Sequence, residues 1–157
     1  MKLFALAAFA SAALAFLAPV HAATLTTQDY IDIEQLYAQY NQTIDTGDAQ
    51  GWAATFTPDG VFNNFVGRDA LVGFIGQWRE KMSGANRRHW NNNLRIVGTP
   101  AGASATVYLM VVDVTTKPVS IIATGTYTDT LVKTAAGWRF KTRNTRLDAA
   151  PPAAPGG

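Results

Sequence analysis

From residue 86 onward the chain reads as four long β-rich segments, "HWNNNLRIVG", "ATVYLMVVDVTT", "SIIATGTYTDTLVKT" and "GWRFKTRNTRL". Turn sequences at "TPAGA", "KP" and "AAG" separate them. Long strands joined by short links predict an antiparallel meander. The middle two segments are apolar on both faces, so the sheet they form has to be covered. Only the preceding sixty residues can supply that cover.

Those residues carry helix signals. Thr26 or Thr27 can cap a helix in which Ile33, Leu36, Tyr37, Tyr40 and Ile44 recur at spacings of three and four, one apolar stripe. Gly47 ends it. Asp48 is placed to cap a short second helix carrying Trp52 and Phe56. "TPDG" (57–60) reads as a turn and "VFNNF" as a short strand. "RDALVGFIGQWREKM" predicts a third helix burying Leu71, Phe74, Ile75 and Trp78. The fold class expected is α+β: three N-terminal helices packed in a curved, mainly antiparallel sheet that wraps the long first helix. Such a cup buries both sides of the sheet and leaves a pocket between helix and strands.

The N-terminal "MKLFALAAFASAALAFLAPVHA" has the pattern of an export signal: Lys2, an apolar run from Leu3 to Leu17, and small residues at Val20-His21-Ala22. The run falls short of the roughly 20 apolar residues of a membrane span. Cleavage is expected after Ala22, giving a periplasmic or secreted protein without stable membrane insertion. Removing Lys2 leaves 12 basic against 11 acidic residues. That balance argues against nucleic acid or an anionic membrane surface as partner. There is no cysteine, so no disulfide framework helps, and residues 23–148 must form one domain on a single core. The tail at 149–157, "AAPPAAPGG", has nothing to bury and is expected to be disordered.

Several chemistries can be set aside. One histidine after processing, His89, and no cysteine leave no recognisable metal cluster. No glycine-rich phosphate loop is present, so no nucleotide cofactor is expected. No serine sits in a nucleophile elbow. Acid–base chemistry remains: an imidazole, a few carboxylates, tyrosine hydroxyls and an arginine.

"YNQTIDTGDAQGWAATFTPDGVF", the strand histidine of "RRHWNNN", and "GTYTDTLVKTAAGWRFKTR" resemble the SnoaL-like branch of the NTF2-like superfamily over residues 26–147. Polyketide cyclases, scytalone dehydratase and bile acid 7α-dehydratase belong to that branch, and ketosteroid isomerase shares the fold. The resemblance implies a cone-shaped α+β barrel, and such a fold hosts catalytic and non-catalytic proteins alike. Carried over by position, it implies a site of Asp45, His89 and Tyr40: the aspartate orients the histidine, the histidine moves the proton, and the tyrosine steadies a substrate oxygen. Asp113 and Arg143 are possible further members. One strand histidine instead of the two of scytalone dehydratase argues against a mechanism needing two imidazoles. The ketosteroid isomerase pattern fits less well, because the chain offers no clear second carboxylic acid for an oxyanion hole.

The residues can be weighed without that resemblance. Asp45 lies about 140° round the helix from Tyr40 and in its last turn, where the helix dipole disfavours an anion by about 0.3–1 kcal/mol. It therefore wants a cationic partner, unless it is a solvated loop residue. Strict alternation puts His89 on one strand face with Arg87, Asn91, Asn93 and Arg95, a polar company, unless a bulge re-aims it. Tyr40 is either a core tyrosine or a substrate-facing hydroxyl. Asp113 either meets a partner inside the sheet or sits at a strand's exposed end. Asn92 can contact a ligand or cap a strand edge, and Arg143 can be structural. Trp52, Phe56 and Tyr108 are read as mainly core with some pocket lining. The function expected is a cofactor-independent dehydratase or isomerase acting on a small apolar polycyclic or aromatic ligand. The alternative is a non-catalytic binding module for a hydrophobic ligand or a partner protein. Sheet-face association into a dimer or trimer is common in this fold and is expected here.

Overall fold

A computed structural model describes residues 24–82 and 86–148; the expected signal segment and tail lie outside them. The order is α1 (Thr27–Thr46), α2 (Ala49–Ala53), β1 (Phe56–Phe62), β2 (Phe65–Val66), α3 (Gly67–Met82), β3 (Arg87–Thr99), β4 (Gly102–Asp113), β5 (Ser120–Thr134) and β6 (Gly137–Leu147). The strands form one mixed six-stranded sheet in the order β2-β1-β6-β5-β4-β3. All neighbours are antiparallel except β1 and β6, which run parallel.

Three details depart from the sequence expectation. The three helices are not consecutive, because the β1–β2 hairpin separates α2 from α3. Phe56 opens β1 and does not extend α2, which stops at Ala53. "TPDG" lies within β1 as an irregularity: Phe56 pairs Phe140 and Val61 pairs Thr142, so the residues between them leave the ladder. Pro58 has no N–H to give that ladder. At Gly60 the chain doubles back so closely that a Cβ would lie 2.8 Å from the Phe56 Cβ, which only glycine avoids.

The apolar stripe of α1 is buried as a unit, with Ile33, Leu36, Tyr37, Tyr40 and Ile44 each at most 4 % exposed. It packs into the concave face of the sheet, where Ala103, Ala105, Val107, Leu109 and Val111 of β4 alternate inward. Three bulges curve the meander: at Asn92/Arg95 in β3, at Val111/Val112 between β4 and β5, and at Thr130/Leu131 between β5 and β6. An extra residue on one strand bends it and increases its twist. The expectation that both faces are covered is not met. The helices lie on the concave side, and the convex face leaves Trp90 52 %, Tyr108 60 % and Ile121 61 % exposed.

Candidate active site

The last turn of α1 builds one end of the site. Gly47 adopts the left-handed conformation (φ 72°), and its N–H caps the Ile44 and Thr43 carbonyls. Asp48 then accepts the Gly51 N–H and starts α2. The helix thus stops sharply, with Asp45 turned toward β3. Asp45 Oδ1 lies 2.7 Å from Nδ1 of His89, and the His89 backbone N–H reaches both carboxylate oxygens at 3.1 Å. A backbone donor and a ring donor from the same residue close on the carboxylate and offset its unfavourable place at the helix C-terminus. The side chains are 9 % (Asp45) and 3 % (His89) exposed. An acceptor-only carboxylate on Nδ1 fixes the proton there, so the neutral ring keeps its lone pair on Nε2.

His89 faces inward because β3 alternates regularly up to Asn92, and it pairs with Val111, itself an inward residue. The bulge comes afterwards. Asn93 takes φ 57°, and beyond it Leu94 and Ile96, not Asn93 and Arg95, turn toward the core. The polar company read from strict alternation therefore belongs to two different faces. The indole of Trp78 on α3 stands 5.8 Å from the imidazole, tilted by 48°.

A cleft of about 600 Å³ opens here between the end of α1, α3, the start of β3 and the turn after β4. Ile44, Asp45, Trp78, Arg79, Arg87 and Arg88 are among the residues lining it. The imidazole is not among the lining groups; it is nearly buried and stands against two of them, Asp45 and Trp78. Among the described residues no group of three or more His, Cys, Asp or Glu stands close enough to hold a metal ion.

The other sequence candidates are elsewhere. Tyr40 has no exposed surface and packs against the rings of Trp52, Phe56, Tyr127 and Phe140. Trp52 and Phe56 are core residues too, whereas Tyr108 is on the exposed convex face. Asn92 is exposed and lines a second cleft of about 440 Å³ with Asn41, Asn91 and Asn93. Asp113 ends β4, where its carboxylate accepts the Thr115 N–H at 2.9 Å; the Thr115 contacts hold its pKa below the usual carboxylate value.

Arg143 is fully buried, which strict alternation from Trp138 and Phe140 does not predict; the β6 bulge turns it inward opposite Asp129. Its guanidinium makes two parallel hydrogen bonds to Asp129, at 2.8 and 2.7 Å, and Tyr37 donates its hydroxyl to the same carboxylate. The rings of Phe140, Tyr40, Tyr127 and Tyr37 surround it at 4.0–4.6 Å. Burial opposes the arginine's charge, but Asp129 more than restores it. Burial likewise pushes the Tyr37, Tyr40 and Tyr127 hydroxyls upward, so all stay protonated. Sequence reading missed Asp129, Tyr37 and Tyr127 as partners. The signal was there: in "GTYTDTL" the face of Tyr127 and Leu131 also contains Asp129. This cluster fills the interior where an apolar pocket was expected.

Residues 26–144 match the sequence profile of the SnoaL-like domain. Among solved structures, the chain is similar to ActVI-ORFA from Streptomyces coelicolor, with 26% identity, 79% of this chain and 98% of that one covered, and a TM-score of 0.72. It is similar to a variant of Rv3472, a function-unknown protein from Mycobacterium tuberculosis, with 29% identity, 78% and 73% coverage and a TM-score of 0.71. A candidate scytalone dehydratase from Novosphingobium aromaticivorans is 25% identical over 79% of this chain and 89% of that one, with a TM-score of 0.63. No curated protein sequence matches the chain.

Proposed function

The chain belongs to the SnoaL-like domain family, and from that premise we propose that it is a cofactor-independent acid–base lyase or isomerase whose working pair is Asp45 and His89. The substrate class is a small, largely apolar aromatic or polycyclic carbonyl compound. The observation that carries this reading is the 2.7 Å contact of Asp45 with His89 Nδ1, reinforced by the backbone N–H of the same histidine. Similarity to the scytalone dehydratase candidate supports it at the level of reaction type.

Nε2 removes a proton from the carbon next to the carbonyl, and the C–H electron pair passes into the enolate. Asp45 stabilises the imidazolium formed, as a buried carboxylate does for any ring it orients. In an elimination the enolate expels a β-hydroxyl, which takes the proton back from Nε2 and leaves as water. In an isomerisation the same proton returns to a different carbon. One imidazole suffices for either. Tyr40, enclosed by rings, has no part in this scheme.

The test is deuterium incorporation from D2O into the α-position of 1-tetralone, followed by proton NMR. The wild-type protein is expected to speed exchange, and His89→Ala to lower the rate by about 10²-fold or more. Asp45→Asn should lose much of the rate while keeping the fold. Exchange unchanged in His89→Ala would sink the acid–base reading. A second reading is favoured by one observation, the imidazole's absence from the groups lining the cleft: the cleft then binds a ligand without turnover, and no variant alters exchange.

We further propose that residues 1–22 direct export and that the domain works outside the cytoplasm, on the strength of the Lys2, apolar-run and Ala22 pattern.

A further inference from the structure

We infer that the ligand of the cleft at the end of α1 is a planar aromatic carboxylate, anchored by Arg79 and Arg87; this rests on the acid–base reading of the same site and adds the substrate's charge to it. Three arginines line the cleft, Arg79 from α3 and Arg87 and Arg88 from β3, together with a single carboxylate, Asp45. Both oxygens of Asp45 are engaged by His89, so it does not neutralise them. Arg88 is partly spent: it donates to Asn86 Oδ1 at 3.1 Å and to the Arg87 carbonyl at 2.8 Å.

Among the described residues, Arg87 and Arg79 are not spent in this way. Nε of Arg87 is buried with no hydrogen-bond partner. A buried donor left unmade is costly, and a ligand acceptor removes that cost. Its register partner Asp113 feels the Arg87 charge, but the Asp113 Oδ1 is held by Thr115 and the residue does not line the cleft. Arg79 lies against the bare α-carbon of Gly47: a Cβ there would come within 2.5 Å of Arg79 Cδ. The arginine is thus seated at the negative end of α1 with its guanidinium beside the opening.

Planar guanidinium forks match a planar carboxylate in two parallel hydrogen bonds. The Trp78 indole also lines the cleft and stands 5.8 Å from the imidazole. About 600 Å³ lies within the range of small-molecule sites. A carboxylate on the arginines fixes one end of the ligand, and its aromatic body extends toward Trp78 and His89. Without these cations an anionic ligand would be repelled by Asp45.

The test is calorimetric titration of the mature protein with 2-naphthoate and with its neutral counterpart 2-naphthylmethanol. Wild-type protein is expected to bind the carboxylate about tenfold more tightly. Arg79→Gln and Arg87→Gln should each remove most of that preference and change binding of the alcohol less than about twofold. Arg146→Gln, on the exposed end of β6, should leave both unchanged. Equal binding of acid and alcohol, an equal loss in Arg146→Gln, or no binding of naphthoate would each overturn the inference. His89→Ala separates the two claims. Lost exchange with arginine-insensitive naphthoate binding removes the carboxylate anchor alone; retained exchange with arginine-dependent binding removes the acid–base reading alone.

Discussion

Arg143 and Asp129 show how much one pair of residues can fix in a core of rings. Neither has appreciable exposed surface, and each carries the charge that balances the other's, so removing one strands the other's charge. Breaking such a pair costs about 3–5 kcal/mol, whereas replacing all members by apolar groups of similar volume is often neutral. Arg143→Met alone is therefore expected to lower the unfolding free energy by about that amount. The combination Tyr37→Phe, Asp129→Leu and Arg143→Met should recover most of it, which denaturant titration will read directly. A combination as unstable as the single variant would mean the pair stabilises more than it costs. His89 teaches the converse lesson. Its partner Asp45 could be chosen from sequence because an aspartate in a helix's last turn needs a cation or donors. The face it shares could not, since the bulge at Asn93 puts the apolar Leu94 and Ile96 on the inward side after it and so masks, in strict alternation, that His89 lies on that side too.

At the scale of elements, the capping threonine and the terminating Gly47 of α1 were legible, whereas the part Asp29 plays was not. Thr26 and Asp29 form a capping box, and Asp29 reaches further, accepting from Lys133 Nζ at 2.7 Å and Trp138 Nε1 at 3.0 Å. One carboxylate thus ties the helix start to the β5–β6 hairpin. The Lys133 hydrogen bond, with those from Thr26 and Trp138, holds its pKa well below the usual carboxylate value. A depressed folded-state pKa means stability that is present above the unfolded value, near 4, and lost as pH falls through the folded one. The melting-temperature gap between wild type and Asp29→Asn should therefore be full at pH 7 and shrink below about pH 4. A gap that persists unchanged into acid would assign the effect to packing instead. The hairpin partners of Asp29 were not legible, because they lie more than a hundred residues away in the chain.

The whole molecule is one helix layer against one curved sheet, and this leaves the convex face with its exposed Trp90, Tyr108 and Ile121. No helix among the described residues is long and apolar enough to cross a membrane. The export proposal is checked by intact-mass analysis of protein recovered outside the cytoplasm, which should begin at Ala23. A full-length mass there, still carrying Met1 to Ala22, would show an uncleaved anchor, and full-length protein confined to the cytoplasm would remove the proposal.

Local pattern sufficed for most of the elements: the period of the α1 stripe, the capping residues around Gly47, and four β-rich segments after residue 86. Each depends on neighbours within a few positions, so the chain carries that information in plain order. The tertiary structure alone decided three other things. Bulges in β3 and β6 aimed Leu94, Ile96 and Arg143 inward; aromatic side chains filled the expected pocket; and the usable cleft moved to the end of α1, where Arg79, Asp45 and Arg87 meet. The reason is common to all three. A one-residue shift in a strand inverts the faces of everything beyond it, and which volume stays empty depends on side chains brought together from distant segments.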